Sequence, residues 1–380
     1  MTDFDHLLSE EERMFLDVLA RVTAQTLAPQ AAAVDESGAF VHAQLKALGD
    51  TGMMGANLPE RWGGADISAH ALFEAVAMVA GGCASTVSAL TAHYLATDSL
   101  LIGGDDALRE RFLPAAAEGR ILGAFGLTEP NAGSDPADMR TRAVREGDGW
   151  RIKGRKCFIS NGGVADFIVV YCVTDPAAAH RGISAFVVEK GTPGLTPGRV
   201  EQTMGLRGGH VWELGLDLVV PDANRLGAEG SGFRTAMHVL DNGRVEVAAM
   251  AVGIARAALG AAKDWAKSRV IGGAPLAARQ GIQWMLADMA TDLSAAELLG
   301  HEAARQRQAR QRFTTAASKA KLFASEAAGR IADAALQIHG GYGFTRDFPL
   351  ERHVRDLRIM RIYEGSSEIQ RNIIAGRLLA

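Results

Sequence analysis

The spacing of apolar residues changes twice along this chain, and that change is the strongest constraint on its fold. Apolar residues recur three or four positions apart up to about residue 117, which is typical of amphipathic helices. Between about 121 and 230 they form short β-rich runs such as FIVVYCV at 167–173. From Gly232 onward the helical spacing returns in long stretches. We therefore predict an α+β chain in which a sheet domain lies between two helical domains.

The length and composition are those of an ordinary globular protein. The 380 residues are enough for two or three structural units, and 48% hydrophobic with 22% charged residues exclude a disordered or fibrous chain. The predicted domains are an N-terminal helical domain at 1–120, a central β domain at 121–230 and a C-terminal four-helix bundle domain at 231–380. The formal charge of −4 predicts no overall attraction to nucleic acid or to an anionic membrane.

The cysteines and the N-terminal segment indicate a cytoplasmic location. Cys83, Cys157 and Cys172 are odd in number and lack a CxxC spacing, which fits a reducing compartment better than a disulfide framework or a zinc ribbon. The first residues, MTDFDHLLSEEERMF, are acidic and amphipathic, unlike a signal or transit peptide. No stretch reaches the roughly 18 uninterrupted apolar residues of a membrane-spanning helix. We expect a soluble protein whose mature chain starts near Met1.

Several common catalytic motifs do not occur in the sequence. There is no GxGxxG, GxxxxGK(S/T), HExxH or GxSxG, which disfavours Rossmann, P-loop, zincin and α/β-hydrolase sites. The ten histidines are scattered, and none has a second ligand at metal spacing, so we predict no metal site. The basic run RQRQARQR at 305–312 fits a solvated turn between helices. A phosphate or nucleic-acid contact is the alternative, weakened by the lack of interleaved aromatic residues.

Four motifs, read in order, resemble the acyl-CoA dehydrogenase family. They are GLTEPNAGSD at 126–135, KCFISNG at 156–162, QIHGGYGF at 337–344 and RIYEGSSEIQR at 361–371, and MGLRG at 204–208 and PLAARQGIQWMLADMA at 275–290 extend the resemblance over essentially the whole chain. The resemblance implies an acyl-CoA dehydrogenase-like fold, with an N-terminal helical domain, a central β domain and a C-terminal four-helix bundle. It also implies a homotetramer.

The resemblance further implies a bound FAD. Taken alone, GLTEPNAGSD is better explained as a turn, Phe158 as a strand residue in a core, and QIHGG as a helix C-cap. With the resemblance, these segments supply hydrogen bonds and an aromatic face to a flat ring, and glycines that allow close approach of a diphosphate. The implied FAD-binding residues are Phe125, Leu127, Thr128, Gly133, Ser134, Phe158, Ile159, Ser160, Arg269, Gln280, Gln337, Gly340, Gly341, Ser366 and Glu368. Arg269, Gln280 and Gln337 would contact the FAD of a neighbouring subunit.

The catalytic base implied by the resemblance is Glu364. Removing an α proton from a thioester requires a base, a hydride acceptor and hydrogen bonds to the carbonyl oxygen. In the family, the glutamate of IYEG is the base, the flavin N5 takes the β hydride, and the glutamate backbone N–H with a ribityl hydroxyl holds the carbonyl oxygen. A branch of the family carries its base at the position matching Gly243, so Glu246, one helical turn away, is the alternative base.

The substrate implied by the resemblance is a short or branched acyl-CoA, such as isobutyryl-CoA or butyryl-CoA. The segments GGCAST, EKGTPGL and LDNGRVEVA look most like short- and branched-chain members. The implied substrate-binding residues are Ser134, Asp241, Arg244, Glu364 and Gly365. Electrons would pass to an electron-transferring flavoprotein. An acyl-CoA oxidase, or a non-catalytic flavoprotein of the same fold that binds nucleic acid, remains an alternative.

Three positions depart from the commoner family pattern. Ser366 stands where threonine is usual, and Phe158 stands where tryptophan is frequent. Ser366 keeps the hydroxyl group of threonine, and Phe158 keeps an aromatic ring. Gly272 occupies a place where phenylalanine usually packs against the cofactor. Because this glycine removes a contact, we expect FAD to be held less tightly than in relatives.

Overall fold

The first described part of the chain is helical. The computed structural model describes residues 4–380, so the predicted start near Met1 lies outside the described residues. The helices are α1 Glu10–Val22, α2 Ala28–Ser37, α3 His42–Gly49, α4 Ala69–Gly82, α5 Ala84–Gly103 and α6 Asp106–Ala117. Ser9 begins α1 with a capping box that includes Glu12. The side chains of Ser68 and Asp105 cap α4 and α6 in the same way, by accepting backbone N–H groups.

A seven-stranded sheet follows. Its strands are β1 Gly123–Gly126, β2 Arg142–Glu146, β3 Gly149–Ser160, β4 Phe167–Val173, β5 Ile183–Glu189, β6 Leu195–Val200 and β7 Val211–Pro221. Strand β4 pairs with β1 in parallel and with β5 in antiparallel fashion, while β2, β3, β7 and β6 form an antiparallel run. The register of β3 against β7 shifts between Lys156 and Ile159, and Phe158 lies in this irregular stretch with φ +56°. The irregularity turns an aromatic side chain to the surface.

The C-terminal part is again helical, which confirms the predicted α+β fold. Its elements are α7 Gly232–Ser268, a hairpin of β8 Val270–Ile271 and β9 Ala274–Pro275, α8 Gln280–Gln308, α9 Thr314–His339, α10 Leu350–Arg358 and α11 Ser367–Leu378. Helices α7, α8 and α9 pack side by side, and α10 and α11 pack on α9. One hydrophobic cluster joins this bundle to the N-terminal helices.

Helix α7 is the central element of the fold. It packs against α4 and α5 of the N-terminal part as well as against α8 and α9. Within the described residues, α7 has an apolar window long enough to span a membrane, with mean hydropathy 1.6, yet 72% of that window is buried in the protein. The closest approach to α4 is at Gly253, where an added Cβ would lie 1.9 Å from the carbonyl oxygen of Ala77. The packing of α7 on α4 therefore requires a glycine at this point.

We predict that Gly253→Ala lowers the unfolding temperature, because the methyl group must push two helix backbones apart. Overpacking of this kind costs about 1–3 kcal/mol. Gly260→Ala on the same helix is the matched control, since no described atom lies within 4 Å of its added Cβ. That change should be neutral or stabilise by about 0.5–1 kcal/mol. Thermal unfolding followed by circular dichroism compares the two variants, and equal midpoints would contradict the tight packing at Gly253.

Candidate active site

The turn before α11 places Glu364 in an unusual backbone conformation. Glu364 has φ +52° and Gly365 has φ +90°, so two successive residues lie in the left-handed region. This conformation is costly for a residue with a side chain, and it persists only where the surroundings hold it. The Gly365 carbonyl accepts hydrogen bonds from Lys321 Nζ at 2.7 Å and from Gln370 Nε2 at 2.9 Å. Gln370 Nε2 also donates to the Glu364 carbonyl at 3.1 Å.

The Glu364 carboxylate lies against α7. Its Oε2 atom is buried and accepts no hydrogen bond from residues 4–380. An added Cβ at Gly243 would lie 2.1 Å from this oxygen and 2.9 Å from Leu95 Cδ2, so the absent side chain of Gly243 makes room for the carboxylate. Burial raises the pKa of Glu364 to about 7, against the opposing charges of Lys321 and Arg244. A carboxylate of this kind can both take and hold a proton near neutral pH.

The carboxylate of Glu246, the alternative base, lies near Arg307 and Asp98. Its carboxylate is buried, and its Oε1 lies 3.7 Å from Nη1 of Arg307. The neighbouring Asp98 accepts hydrogen bonds from Asn57 and Asn242, each at 2.7 Å. Burial raises the pKa of Glu246 well above its ordinary value, and the nearby charge of Asp98 adds to the effect. The position next to Gly243 is thus taken by Glu364, while Glu246 belongs to a buried charge cluster with Asp98 and Arg307.

A groove of about 1060 Å³ lies between the first half of α7, the end of α8 and α11. Asp241 and Arg244 line it, and the Asp241 carboxylate accepts hydrogen bonds from Arg244 Nη1 and from Thr314 Oγ1, each at 2.5 Å. Arg244 also lowers the pKa of Glu364, so one residue of the groove lies near the base, while Glu364 itself is not among the lining residues. The other arginines that line the groove are Arg234, Arg307, Arg310, Arg312 and Arg377. Much of the basic run at 305–312 therefore faces this groove.

The 126–135 segment is held to β3 by a buried ion pair. Lys156 Nζ lies 2.8 Å from Glu129 Oε1 and donates to the Leu127 carbonyl at 2.9 Å. Glu129 also accepts the backbone N–H groups of Arg140 and Thr141. Burial lowers the pKa of Lys156, opposed by the charge of Glu129. Because Leu127 is fixed by this pair, the neighbouring Thr128 is held in a defined position.

The residues predicted around this segment differ in exposure. Phe158 is 66% exposed, while the side chain of Ile159 is buried at 2%. Gly133 and Ser134 are exposed, and Phe125, Thr128 and Ser160 are half-buried. The Cys157 N–H donates to the Thr128 carbonyl at 3.1 Å, which brings the 126–135 segment next to Phe158. The exposed ring and the adjacent loop form one face that can receive a flat ring system.

Four more of the predicted FAD-binding residues lie around a second pocket, which has a volume of about 580 Å³. Arg269, Gln337, Gly340 and Gly341 line it. Its wall also contains Trp265, which stacks on His339 with ring centroids 4.9 Å apart. The Arg269 guanidinium lies over the rings of Trp265 and Tyr342. Gln280, the first residue of α8, is exposed and does not line this pocket among the described residues.

Comparisons with known proteins cover the whole of this architecture. Profiles described as the N-terminal, middle and C-terminal domains of acyl-CoA dehydrogenase match residues 9–120, 124–219 and 230–379. The short-chain specific acyl-CoA dehydrogenase of Clostridium acetobutylicum is 40% identical over 376 residues, which are 98% of this chain and 99% of that protein. The chain belongs to the acyl-CoA dehydrogenase family.

Two solved structures show how closely this acyl-CoA dehydrogenase family member follows the family fold. Butyryl-CoA dehydrogenase from Megasphaera elsdenii superposes with a TM-score of 0.96 at 39% identity, covering 98% of this chain and 99% of that one. A chain from a structure of the electron transferring flavoprotein of Acidaminococcus fermentans superposes with a TM-score of 0.96 at 38% identity, covering 98% of each chain. The resemblance found in the motifs and the expected family fold are confirmed.

Sequence reasoning missed the residues that support the site in this acyl-CoA dehydrogenase. Lys321 and Gln370 donate hydrogen bonds to the turn that carries Glu364, and the Met250 sulfur accepts a weak hydrogen bond from Tyr363, the residue before Glu364. Lys321 occupies the alanine-rich buried face of α9, and a lysine in such a stripe is the one available signal. No group of three His, Cys, Asp or Glu side chains that could hold a metal ion occurs within residues 4–380.

We predict that Lys156→Met destabilises the protein by about 3–5 kcal/mol, because it leaves the buried Glu129 carboxylate without its counterion. Lys153→Met on the same strand is the control, since the Lys153 side chain is 75% exposed and its ion pair is worth about 0–1 kcal/mol. The two variants are compared by thermal or chemical unfolding. A Lys156→Met protein as stable as the Lys153→Met protein would show that this pair does not hold the loop.

Proposed function

We propose that this protein is an FAD-dependent acyl-CoA dehydrogenase that removes two hydrogens from the α and β carbons of a short acyl-CoA, with Glu364 as the base. The observation that carries the proposal is the Glu364 carboxylate, which is buried beside Gly243, has a pKa of about 7 and lies near Arg244, a residue that lines the groove. The name and high identity of the Clostridium acetobutylicum relative support the same reaction.

The groove fits the CoA part of such a substrate. CoA carries several phosphate charges, and a groove lined with arginines attracts them. A substrate whose thioester reached past Arg244 would bring its α carbon to Glu364. The Glu364 backbone N–H donates no hydrogen bond to the described residues, so it is available to a thioester carbonyl oxygen. Glu364 would therefore remove the α proton while its own N–H stabilises the enolate that develops.

The two remaining site regions fit FAD. Phe158, Thr128 and the backbone of Leu127 offer a face and polar groups to the isoalloxazine ring, with Ser134 and Ser160 close by in sequence. Arg269, Gln337 and the glycines at 340 and 341 form a pocket with open space, since no described atom lies within 4 Å of a Cβ added at either glycine. Such a pocket accepts a diphosphate or adenine. Bound FAD would supply the acceptor for the β hydride.

The surface supports assembly of several copies. Trp284 and Leu298 on α8 are 63% and 61% exposed, and Phe344, close to the second pocket in sequence, is 82% exposed. Large apolar side chains on one helix are typical of an interface. We expect a homotetramer in which this pocket serves the FAD of a neighbouring subunit. The proposed acceptor of the electrons is an electron-transferring flavoprotein, as the Acidaminococcus fermentans structure suggests, and the proposed location is the cytoplasm.

Met250 supports a short acyl group. It is fully buried on α7, seven residues after Gly243, which is about 10 Å along the helix. Its sulfur accepts weak hydrogen bonds from Tyr363, which precedes the base, and from Thr91 on α5 at 3.6 and 3.7 Å. We expect these three side chains to close the acyl pocket beyond the base. Butyryl-CoA and isobutyryl-CoA are the substrates that we expect to fit.

The decisive experiment is an anaerobic titration of the FAD-loaded protein with butyryl-CoA and isobutyryl-CoA, following the flavin absorbance band. We expect bleaching in the wild type and in the exposed control Glu110→Gln, and a loss of at least about 10³-fold in the bleaching rate in Glu364→Gln. Because only ionised Glu364 can take the proton, the wild-type rate should fall as pH drops through about 7.

Each other outcome has a distinct meaning. Bleaching followed by rapid reoxidation in air would identify an acyl-CoA oxidase. Full FAD loading without bleaching by any ester would refute the proposed reaction, and salt-sensitive retention on DNA would then favour the nucleic-acid-binding alternative. Bleaching of Glu364→Gln but not of Glu246→Gln would move the base to Glu246.

We predict that Met250→Ala shifts the preference toward longer esters. Shortening this side chain opens space beyond the base, and each added methylene is worth about 1–3 kcal/mol in such a pocket. The ratio of kcat/KM for hexanoyl-CoA to that for butyryl-CoA should rise about tenfold or more. Met289→Ala, which removes a buried methionine from α8, is the control and should leave the ratio unchanged. An unchanged ratio in Met250→Ala would rule out Met250 as the limit of the pocket.

A further inference from the structure

A buried lysine contacts the turn that carries Glu364. Lys321 is fully buried on α9, between the buried alanines Ala317, Ala320 and Ala324. Lysine is seldom found fully buried, because removing its charge from water is expensive unless a partner compensates. Its Nζ donates to the Gly365 carbonyl at 2.7 Å. This contact joins α9 to a turn residue that lies 44 residues further along the chain.

The geometry gives the contact a role beyond packing. Glu364 and Gly365 both have positive φ, so the turn is strained at the residue that bears the carboxylate. The Gly365 carbonyl is held from two sides, by Lys321 of α9 and by Gln370 of α11. With that carbonyl fixed, the preceding peptide is fixed as well. The Glu364 side chain is then directed toward the space left by Gly243.

The charges around Lys321 come from four elements. Glu364 on the turn attracts its ammonium group most strongly, Glu326 on α9 and Glu368 on α11 attract it less, and Arg244 of α7 repels it. Burial lowers the pKa of Lys321 to about 8, so it remains largely protonated at neutral pH. After burial, its charge is the largest influence on the Glu364 carboxyl, ahead of Arg244.

We propose that Lys321 is the positioning residue of the catalytic base: its ammonium group fixes the strained turn through the Gly365 carbonyl and favours the ionised form of the Glu364 carboxyl. This inference rests on the proposed function. Lys321 contacts the Gly365 carbonyl, and it would act on the reaction only through the position and charge of Glu364. The charge and the hydrogen bond are separate contributions, so they can be separated by substitution.

Three substitutions separate the two contributions. Lys321→Met removes both the charge and the donor, Lys321→Gln keeps a donor without charge, and Lys321→Arg keeps a positive charge. Lys319→Met is the matched control, because Lys319 is exposed on the same helix two residues away. For each FAD-loaded protein we would measure the rate of flavin reduction by butyryl-CoA across the pH range. Flavin content and unfolding temperature are measured alongside.

We expect a change in the acid limb of the pH–rate profile, which is the range over which the rate falls as the pH drops. In the variants without the cation, this limb should move to higher pH. Loss of the cation raises the pKa of Glu364, so the rate should be lost at higher pH in Lys321→Met and Lys321→Gln than in the wild type. Since a nearby opposite charge lowers the pKa of a carboxyl, its loss should make the rate about tenfold lower or more at pH values below the wild-type midpoint. Lys321→Arg and Lys319→Met should keep the limb close to its wild-type position.

The outcomes that overturn the inference differ from those that overturn the proposed function. If the wild type is bleached by butyryl-CoA but Lys321→Met and Lys321→Gln keep its acid limb, Lys321 only supports the fold. A lower unfolding temperature or flavin content with an unmoved limb leads to that same conclusion. Should Lys321→Met fail to fold, Lys321→Gln decides alone, since it retains a donor for the Gly365 carbonyl. A wild type that no ester bleaches refutes the proposed function and this inference together.

Discussion

The close approach of α7 to its neighbours is the constraint on which the rest of the structure depends. At Gly253 the helix backbone touches Ala77 of α4, and at Gly243 the same helix leaves the space that the Glu364 carboxylate fills. These two contacts lie on one rigid helix of 37 residues. The packing of the N-terminal helices against the bundle therefore fixes one wall of the active site. A shift of α7 would change the core and the position of the base together.

Charge balance inside this packed region is the second constraint. Three buried carboxylates, those of Glu364, Glu246 and Asp98, lie near three cations. The charge of Arg307 lowers the pKa values of Glu246 and Asp98, while the charges of Lys321 and Arg244 lower that of Glu364. Burial raises the pKa of each acid, and the nearby cations oppose that rise. The separation into two groups leaves Glu246 with a strongly raised pKa and leaves Glu364 in the range that proton abstraction requires.

Much of the fold was predictable from the sequence, because hydrophobic period and turn residues are local signals. The helical, β, helical order and the family fold are confirmed, whereas the domain boundaries and site assignments stay predictions. The contacts that hold Glu364 in place could not be predicted from the sequence, and the reason is physical. Lys321 and Gly365, or Met250 and Tyr363, meet only after distant elements pack, and no local pattern marks such a pair. The outward turn of Phe158 likewise depends on a register shift between two strands.

The hairpin after α7 shows why a departure from a family pattern needs a backbone explanation. Gly272 and Gly273 have φ of +60° and +79°, so they form the tight two-residue turn between β8 and β9. A phenylalanine at 272 would strain that turn and would bring its Cβ within 3.1 Å of Arg279. Arg269 precedes this hairpin and lines the second pocket, where Trp265, stacked on His339, supplies an aromatic surface. The reduced hold on FAD expected from Gly272 stays a prediction, and the positive φ at 272 and 273 explains why glycines suit this turn.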